Sequence, residues 1–235
     1  MRPKIFPEGS NAGYDPVWDD IYESGHEQKA PWDMVVSFVY QNKPKNVENR
    51  DINILEVGCG TASNLRFFAA ERFNVSGIDA SRKAIDVARK YFSDKNLKSD
   101  LQVCSFDSLP YDNDGFDLVI DRAALVHTGT SVQLKAIDEI YRVLKPEGRF
   151  FYTPYADTHT SCLSGTKYED DLTNDISGGT LQGVGHLRFM SQEDIKGFFP
   201  PDKWNILSME YETRQEMSKD DPTMHSNWRV TVEKK

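Results

Sequence analysis

The chain has 235 residues, of which 38% are hydrophobic and 28% charged, and its formal net charge at pH 7 is −9. These values exclude an intrinsically disordered protein and fit one α/β domain with added segments. The acidic balance argues against a nucleic-acid partner, which needs clustered basic residues. There is no run of ~20 apolar residues to span a membrane, and the three cysteines lack zinc-site spacing. We expect a cytoplasmic protein without a membrane or metal partner.

The N-terminal part of the chain is predicted to form a helical cap. Tyr14, Trp18 and Tyr22 recur at four-residue spacing, which places their rings on one face of a helix. Pro31 suits the first position of a second helix, because its missing N–H is not needed there. The apolar residues within 35–39 would form the buried face of that second helix.

Short apolar runs then alternate with amphipathic stretches. The apolar runs predict buried strands and the amphipathic stretches predict helices, a pattern typical of a mostly parallel sheet with helices on both faces. The predicted strands are 52–57, 75–78, 101–104, 116–120, 149–152, 204–211 and 228–232, and the predicted helices are 63–72, 82–92, 131–144 and 191–199.

Residues 153–188 interrupt this alternation and are rich in Ser, Thr, Gly and Asp. A long irregular segment in a compact domain usually has a function, for example as a lid. We therefore divide the chain into a helical cap at 1–45 and a domain at 46–235 that carries an insert at about 153–190.

A glycine loop after the first predicted strand is the first candidate site. Gly58 and Gly60 let the backbone approach a ligand closely, and the following helix directs free N–H groups to the same place. Asp79 ends the next predicted strand, where a carboxylate can accept hydrogen bonds from both hydroxyls of a ribose. The pattern indicates a nucleotide-like cofactor. A dinucleotide is less favoured, because Ser63 stands where its fingerprint has a third glycine.

As a set, these motifs resemble those of class I S-adenosylmethionine-dependent methyltransferases. The resemblance rests on residues 56–61, 77–81, 109–110, 116–120 and 144–149, and it covers the chain from about residue 52 to residue 152. It implies a Rossmann-like, seven-stranded, mostly parallel sheet with helices on both faces and an antiparallel last strand. It also implies S-adenosylmethionine as the cofactor.

The resemblance further implies roles for individual residues. Gly58 and Gly60 would lie against the methionyl part of the cofactor, and Asp79 would bind its ribose. The family often has an acid where this chain has Ser105, so Asp107 is an equal candidate for the adenine contact. The candidate cofactor-binding residues are Trp18, Tyr22, Trp32, Glu56, Gly58, Gly60, Asn64, Asp79, Ala80, Ser105, Phe106, Asp107, Asp121 and Arg122.

Two segments resemble small-molecule enzymes of this family. Residues 121–127 are similar to the corresponding segment of thiopurine-type methyltransferases. The N-terminal aromatic segment is similar to those of thiopurine-type enzymes and of methyltransferases in bacterial surface-glycan pathways. Trp18, Tyr22 and Trp32 would there cover the cofactor, with cation–π attraction to its sulfonium. Simple packing of these rings on the domain is the alternative interpretation.

Acceptor chemistry is assigned to a second group of residues. His127 and His186 are candidate general bases, because histidine has a suitable pKa for this task. Arg122, Tyr155 and Arg188 are candidate acceptor contacts, and Arg188 suits an anionic group. Structural roles stay open as alternatives: helix capping for His127, a scaffold ion pair for Arg122, and a lead-in to the next helix for the segment of His186.

We therefore predict methyl transfer to a small polar molecule, with O-methylation of a sugar or sugar nucleotide as the first hypothesis. A histidine base suits a hydroxyl acceptor, whereas N- or S-methylation requires no strong base. An NAD-dependent oxidoreductase and a non-catalytic S-adenosylmethionine-binding module are the alternatives. Metal-assisted O-methylation would use Asp121, which no clear partner ligands accompany. The expected partner is a small-molecule acceptor, with a homodimer as a further hypothesis.

Overall fold

The computed structural model describes residues 15–218 and 223–235. The N-terminal part forms two helices, α1 (Val17–Glu23) and α2 (Asp33–Asn42). Tyr14, which the spacing places on the aromatic face, lies outside the described residues.

The second helix begins later than Pro31. Trp32 precedes α2 with extended backbone dihedrals, φ −75° and ψ 130°, and the first helical residue is Asp33. The backbone N–H of Trp32 donates to Oδ1 of Asn64 at 2.9 Å, which holds this residue outside the helix. The long-range hydrogen bond therefore sets where the helix starts.

The strands form one large sheet and one small sheet. They are β1 (Asn53–Val57), β2 (Asn74–Asp79), β3 (Asp100–Val103), β4 (Phe116–Asp121), β5 (Leu144–Tyr152), β6 (Thr166–Lys167), β7 (Leu172–Asn174), β8 (Leu187–Arg188), β9 (Trp204–Gln215) and β10 (Met224–Lys234). The large sheet has the order β3-β2-β1-β4-β5-β10-β9. Its first five strands run parallel, whereas β10, the last strand in the chain, is antiparallel to both of its neighbours. The predicted Rossmann-like sheet with an antiparallel last strand is confirmed.

The closing hairpin is longer than predicted. We expected strands at 204–211 and 228–232, but β9 and β10 both continue past these limits. Apart from Met224 the added residues are polar and lack an apolar alternation, so cross-strand contacts hold them instead. One such contact is the ion pair between Arg229 and Glu212 at 2.6 Å.

Helices cover both faces of the large sheet, as predicted. They are α3 (Ser63–Ala70), α4 (Arg82–Asp94), α5 (Thr130–Val143), α6 (Thr160–Leu163) and α7 (Gln192–Phe198). One buried apolar cluster joins the sheet to α5 and α7 through Ile137 and Ile195. A second joins it to α2, α3 and α4 through Phe38, Leu65 and Ile85. No helix in the described ranges is both long and apolar enough to cross a bilayer.

The insert at 153–190 is more ordered than an irregular loop. It contains α6 and a small antiparallel sheet of β6, β7 and β8. Its buried residue Leu187 packs in one apolar cluster with Val126, which follows β4. Asp170 fastens the insert to the start of α5, since it accepts from the backbone N–H of Ser131 at 3.0 Å and from its hydroxyl at 2.6 Å. The insert is therefore packed against the carboxyl ends of the strands.

Gly77 lies in the middle of β2, where we predict that a side chain cannot be accommodated. A Cβ added there would lie 2.6 Å from Leu65 Cδ1 and 2.9 Å from Cys59 Sγ, both in the core. Gly77→Ala should lower the free energy of unfolding by about 1–3 kcal/mol, as overpacking does. Gly197→Ala is the control, because a Cβ on α7 there meets nothing within 4 Å. That change should leave stability equal or raise it by about 0.5–1 kcal/mol. Urea unfolding measures the stability of both variants. Equal unfolding midpoints for Gly77→Ala and wild type would contradict the close packing of Leu65 and Cys59 against Gly77.

Candidate functional site

The loop between β1 and α3 requires glycine at two positions. Gly58 and Gly60 have φ values of 66° and 53°, in the left-handed region that glycine adopts without steric cost. A Cβ on Gly58 would collide with the Cβ of Ala124, and a Cβ on Gly60 would lie 2.6 Å from the hydroxyl of Tyr22. Both the backbone conformation and the close approach of neighbours therefore depend on the missing side chains.

Asp79 holds this loop from the end of β2. Its Oδ2 accepts from the backbone N–H of Gly60 and its Oδ1 from that of Ser81, both at 2.8 Å. Burial raises the pKa of Asp79 to about 6, although the two N–H donors oppose this rise. Each carboxylate oxygen has a further lone pair, so the group can still accept hydrogen bonds from a ligand.

A second buried carboxyl group lies at the end of β1. Asn64 donates to Oε1 of Glu56 at 2.6 Å and accepts from the backbone of Trp32, so it joins strand, helix and cap. Oε2 of Glu56 is buried without a hydrogen-bond partner, and burial raises the pKa of Glu56 to about 8. Buried polar atoms are nearly always paired, so this oxygen fits a donor from a ligand. An ammonium group there would also favour the ionised carboxyl.

These features meet in one cavity of about 360 Å³. The residues predicted from sequence that line it are Trp18, Tyr22, Trp32, Glu56, Gly58, Gly60, Asn64, Asp79, Ala80, Phe106, Arg122, His127 and Tyr155. The wall of this cavity is thus formed jointly by the cap, the glycine loop, the ends of the strands and the insert. The fit to S-adenosylmethionine rests on Asp79 for a ribose, on Oε2 of Glu56 for an ammonium, and on the glycine cradle for close backbone approach.

Sequence reasoning missed several lining residues. They are Asp15, His26, Gln28, Cys59, Thr61, Ser63, Ala123, Ala124, Leu181 and Val184. His26 continues the four-residue spacing of Trp18 and Tyr22, so that pattern could have found it. Leu181 and Val184 lie in the polar insert, where the sequence carries no periodic signal.

Helix α1 of the cap is attached to α4 of the domain by polar contacts. Asp19 accepts from the hydroxyl of Ser81 at 2.6 Å, and Glu23 pairs with Lys83 at 2.5 Å. Helix α1 itself contains no buried residue. The aromatic side chains of the cap therefore reach the cavity while the helix stays at the surface.

The two candidate bases lie close together but have different surroundings. The His127 ring lines the cavity, stands edge-on to Trp18 at 4.9 Å between centroids, and has a buried Nδ1 without a hydrogen-bond partner. Burial lowers the pKa of His127 to about 4, so the ring is neutral near pH 7. His186 is not among the lining residues, because its ring nitrogens lie 3.1 Å from Asp15 Oδ2 and 2.8 Å from the His127 carbonyl oxygen. It positions the cap and the segment after β4.

Three predicted cofactor residues lie outside the cavity wall. Ser105 and Asp107 are half-buried beside it, so Phe106 is the lining residue of that segment. Asp121 is fully buried, and its Oδ1 accepts from the backbone N–H groups of Ala124 and Leu125 at 3.0 and 2.9 Å. Asp121 thus shapes the turn after β4 and is not among the lining residues, while its Oδ2 is buried without a hydrogen-bond partner in the described residues.

Arg188 likewise does not reach the cavity. Its side chain is 2% exposed, pairs with Asp194 at 3.3 Å and lies over the Phe198 ring. The predicted anion contact is replaced by an internal ion pair, because α7 brings a carboxylate to the guanidinium. Over residues 15–218 and 223–235, no group of three or more His, Cys, Asp or Glu side chains is arranged to hold a metal ion.

The sequence is similar to a family model and to several known proteins. Residues 54–148 match the family model described as a methyltransferase domain. The chain is 26% identical to an uncharacterized methyltransferase, YcgJ of Bacillus subtilis, over 65% of this chain and 60% of that protein. It is 29% identical to a ubiquinone biosynthesis O-methyltransferase of Bartonella tribocorum, over 67% of this chain and 62% of that protein. The chain therefore spans less than two thirds of the length of these curated relatives.

The fold is shared with solved structures at low sequence identity. An S-adenosylmethionine-dependent methyltransferase from Methanosarcina mazei superimposes with a TM-score of 0.67 at 16% identity, over 87% of this chain and 98% of that chain. At this identity the likeness concerns the fold, while the matched domain covers the glycine loop and Asp79. Residues 54–148 thus match a methyltransferase domain, and this match together with the shared fold implies S-adenosylmethionine as the cofactor.

Proposed function

We propose that this protein transfers a methyl group from S-adenosylmethionine to a small polar acceptor, and that the accepting atom is a hydroxyl oxygen. One observation carries the proposal. Gly60 and Asp79, which suit the cofactor, line the same cavity as His127 and Tyr155, which suit an acceptor. The cofactor supplies a methyl group that its sulfonium activates. The residues of the chain then need to align the two molecules and exclude water.

The cofactor would be held by backbone and carboxyl groups. Asp79 accepts hydrogen bonds from the ribose hydroxyls, in addition to those from the backbone. Glu56 accepts from the ammonium group through Oε2, which has no hydrogen-bond partner among the described residues. Gly58 and Gly60 let the loop approach the methionyl part closely. The aromatic rings of Trp18 and Tyr22 cover the cavity and attract the sulfonium charge.

His127 is the general base in this proposal. Its neutral ring lines the cavity, and Nδ1 is available to a ligand because none of the described residues hydrogen-bonds to it. The hydroxyl proton of the acceptor passes to this ring as the oxygen–carbon bond forms. A base with a low pKa is sufficient, since the hydroxyl becomes acidic only as the bond forms.

The acceptor class follows from the wall that the insert provides. Tyr155, Leu181 and Val184 narrow the cavity, which favours a small molecule over a polymer. One relative is named an O-methyltransferase, which supports oxygen as the accepting atom. A sugar or sugar nucleotide is the first candidate, as the likeness to thiopurine-type and surface-glycan enzymes suggests. N- or S-methylation and a non-catalytic role are the alternatives that the experiments below test.

Asp79→Asn should weaken binding of S-adenosylhomocysteine about 10- to 100-fold. The carboxylate would lose charge-assisted hydrogen bonds, each typically about 1.5–3 kcal/mol. Asp117→Asn is the matched control, because Asp117 pairs with Lys145 at 2.8 Å and does not line the cavity. Calorimetric titration measures both affinities. Equal losses for the two variants would contradict the assignment of Asp79 to the ribose.

His127→Ala should lower the turnover rate about 100-fold or more, as loss of a general base does, while S-adenosylhomocysteine affinity changes little. Because the pKa of His127 is about 4, the wild-type rate should be constant above about pH 6 and fall only toward pH 4. Radiolabelled methyl transfer to a pool of small hydroxylated compounds measures this. A full rate in His127→Ala would favour N- or S-methylation, and no turnover with any acceptor would favour the non-catalytic role.

The same histidine should also affect acid stability. The folded pKa of His127 lies below the ordinary value of 6.5, so the unfolded chain binds this proton more readily. The contribution to stability is present above pH 6.5 and is lost as the pH falls toward 4. Between these limits, wild type should lose more unfolding free energy than His127→Ala, by up to about 3 kcal/mol. Urea unfolding of both proteins above pH 6.5 and near pH 4 measures this difference, and so tests whether His127 is buried in its neutral form without relying on activity.

A further inference from the structure

Arg122 follows β4 and lines the cavity, and it forms no ion pair with any of the residues that the structure describes. The guanidinium lies over the Trp32 ring, 3.7 Å from the ring centroid. Its Nε is buried without a hydrogen-bond partner, and no carboxylate of the described residues forms an ion pair with it. Stacking on an aromatic ring offsets only part of the cost of removing a cation from water.

Five other arginines of the described residues have a carboxylate partner. Each of the following lies within 3.3 Å of a carboxylate oxygen: Arg66 with Glu27, Arg142 with Glu139, Arg149 with Glu233, Arg188 with Asp194, and Arg229 with Glu212. Arg122 differs from this group because it faces a cavity and lacks such a partner. A cation in that position indicates that the counter-ion comes from a ligand.

Charged groups act on Arg122 only from a distance. Burial raises the pKa of Glu56 to about 8, so this carboxyl group is largely protonated near pH 7. Burial raises the pKa of Asp121 only to about 6, so it is largely ionised near pH 7, but its Oδ1 accepts from the backbone and the group forms no ion pair with Arg122. On β10, burial together with Arg214 and Arg122 lowers the pKa of His225, so this ring is neutral near pH 7. Among the described residues, Arg122 therefore has charged neighbours but no carboxylate at ion-pair distance.

We propose that Arg122 binds an anionic group of the acceptor, a carboxylate or a phosphate, and thereby orients the accepting atom. The inference rests on the proposed function. The planar guanidinium can donate two parallel hydrogen bonds to either group, which fixes orientation as well as position. Trp32 holds the plane of the guanidinium, and its own backbone is anchored to Asn64. Within the carbohydrate hypothesis, a sugar phosphate or a sugar nucleotide meets this requirement and a neutral sugar does not.

The position of Arg122 favours the acceptor over the cofactor as the source of the anion. Gly60 and Asp79 hold the cofactor from the ends of β1 and β2. Arg122 follows β4, and its charge acts on His225 of β10, on the other side of the sheet centre. The insert residue Tyr155, which follows β5, also lines the cavity.

The test titrates acetate and inorganic phosphate into the complex of the protein with S-adenosylhomocysteine, at constant ionic strength maintained with chloride. Arg122→Met should weaken binding of at least one of the two anions about tenfold or more, while S-adenosylhomocysteine affinity stays within about threefold. Arg122→Lys keeps the positive charge but removes the planar guanidinium with its two parallel donors, so it should give an intermediate anion affinity. Arg229→Met is the matched control and should change neither affinity, since Arg229 pairs with Glu212 outside the cavity lining.

A second comparison separates the two sources of the anion. 5′-Methylthioadenosine lacks the amino-acid part of the cofactor, so it cannot offer a carboxylate. The ratio of its affinity to that of S-adenosylhomocysteine should be the same in wild type and Arg122→Met. A change of about tenfold in that ratio would assign Arg122 to the cofactor and overturn the proposal. Equal anion affinities in wild type and Arg122→Met would overturn it as well, whereas failure of wild type to bind S-adenosylhomocysteine would contradict the proposed function itself.

Discussion

The geometry of the cavity depends on the two hydrogen bonds that Asp79 accepts from the backbone N–H groups of Gly60 and Ser81. They tie the loop after β1 to the start of α4, and parallel pairing of β1 and β2 brings the three residues to the same edge of the sheet. The hydroxyl of Ser81 also donates to Asp19, so the cap is oriented from the same point. Strand register, loop conformation and cap position are therefore coupled through one buried carboxylate.

The same cavity collects polar atoms that the chain leaves without partners. They include Oε2 of Glu56, Nδ1 of His127 and Nε of Arg122. Burial raises the pKa of Glu56 and lowers that of His127, since in both groups it disfavours the charged form. In such surroundings each charge–charge contact with a ligand is stronger than it would be in solvent. Buried polar atoms are nearly always hydrogen-bonded. Three such atoms without partners in one cavity therefore indicate positions where a cofactor and an acceptor would supply the missing contacts.

The sequence allowed the sheet and the cofactor end of the site to be predicted, because both depend on local patterns. Apolar runs gave the strands, and two glycines followed by Asp79 gave the loop. The acceptor end depends on contacts between distant segments. His186 meets Asp15 and the carbonyl group of His127, and nothing in the local sequence of His186 indicates either partner.

Short elements also escape prediction. Strands β6 and β8 each have two residues, which is too few for a period of two to be recognised. Arg188 was assigned to an acceptor on its residue type, but the capping turn of α7 places Asp194 within reach of it. Leu181 and Val184 line the cavity, but they lie in a polar segment whose composition does not indicate which residues are buried.

Helix α1 covers the cavity without burying any of its own residues, and ionic or hydroxyl contacts at Asp19 and Glu23 attach it to α4. Such contacts are screened by salt, whereas the apolar packing beneath the sheet is not weakened in this way. Raising the salt concentration would therefore weaken the exposed Lys83–Glu23 contact of α1 and leave the apolar core beneath the sheet largely unaffected.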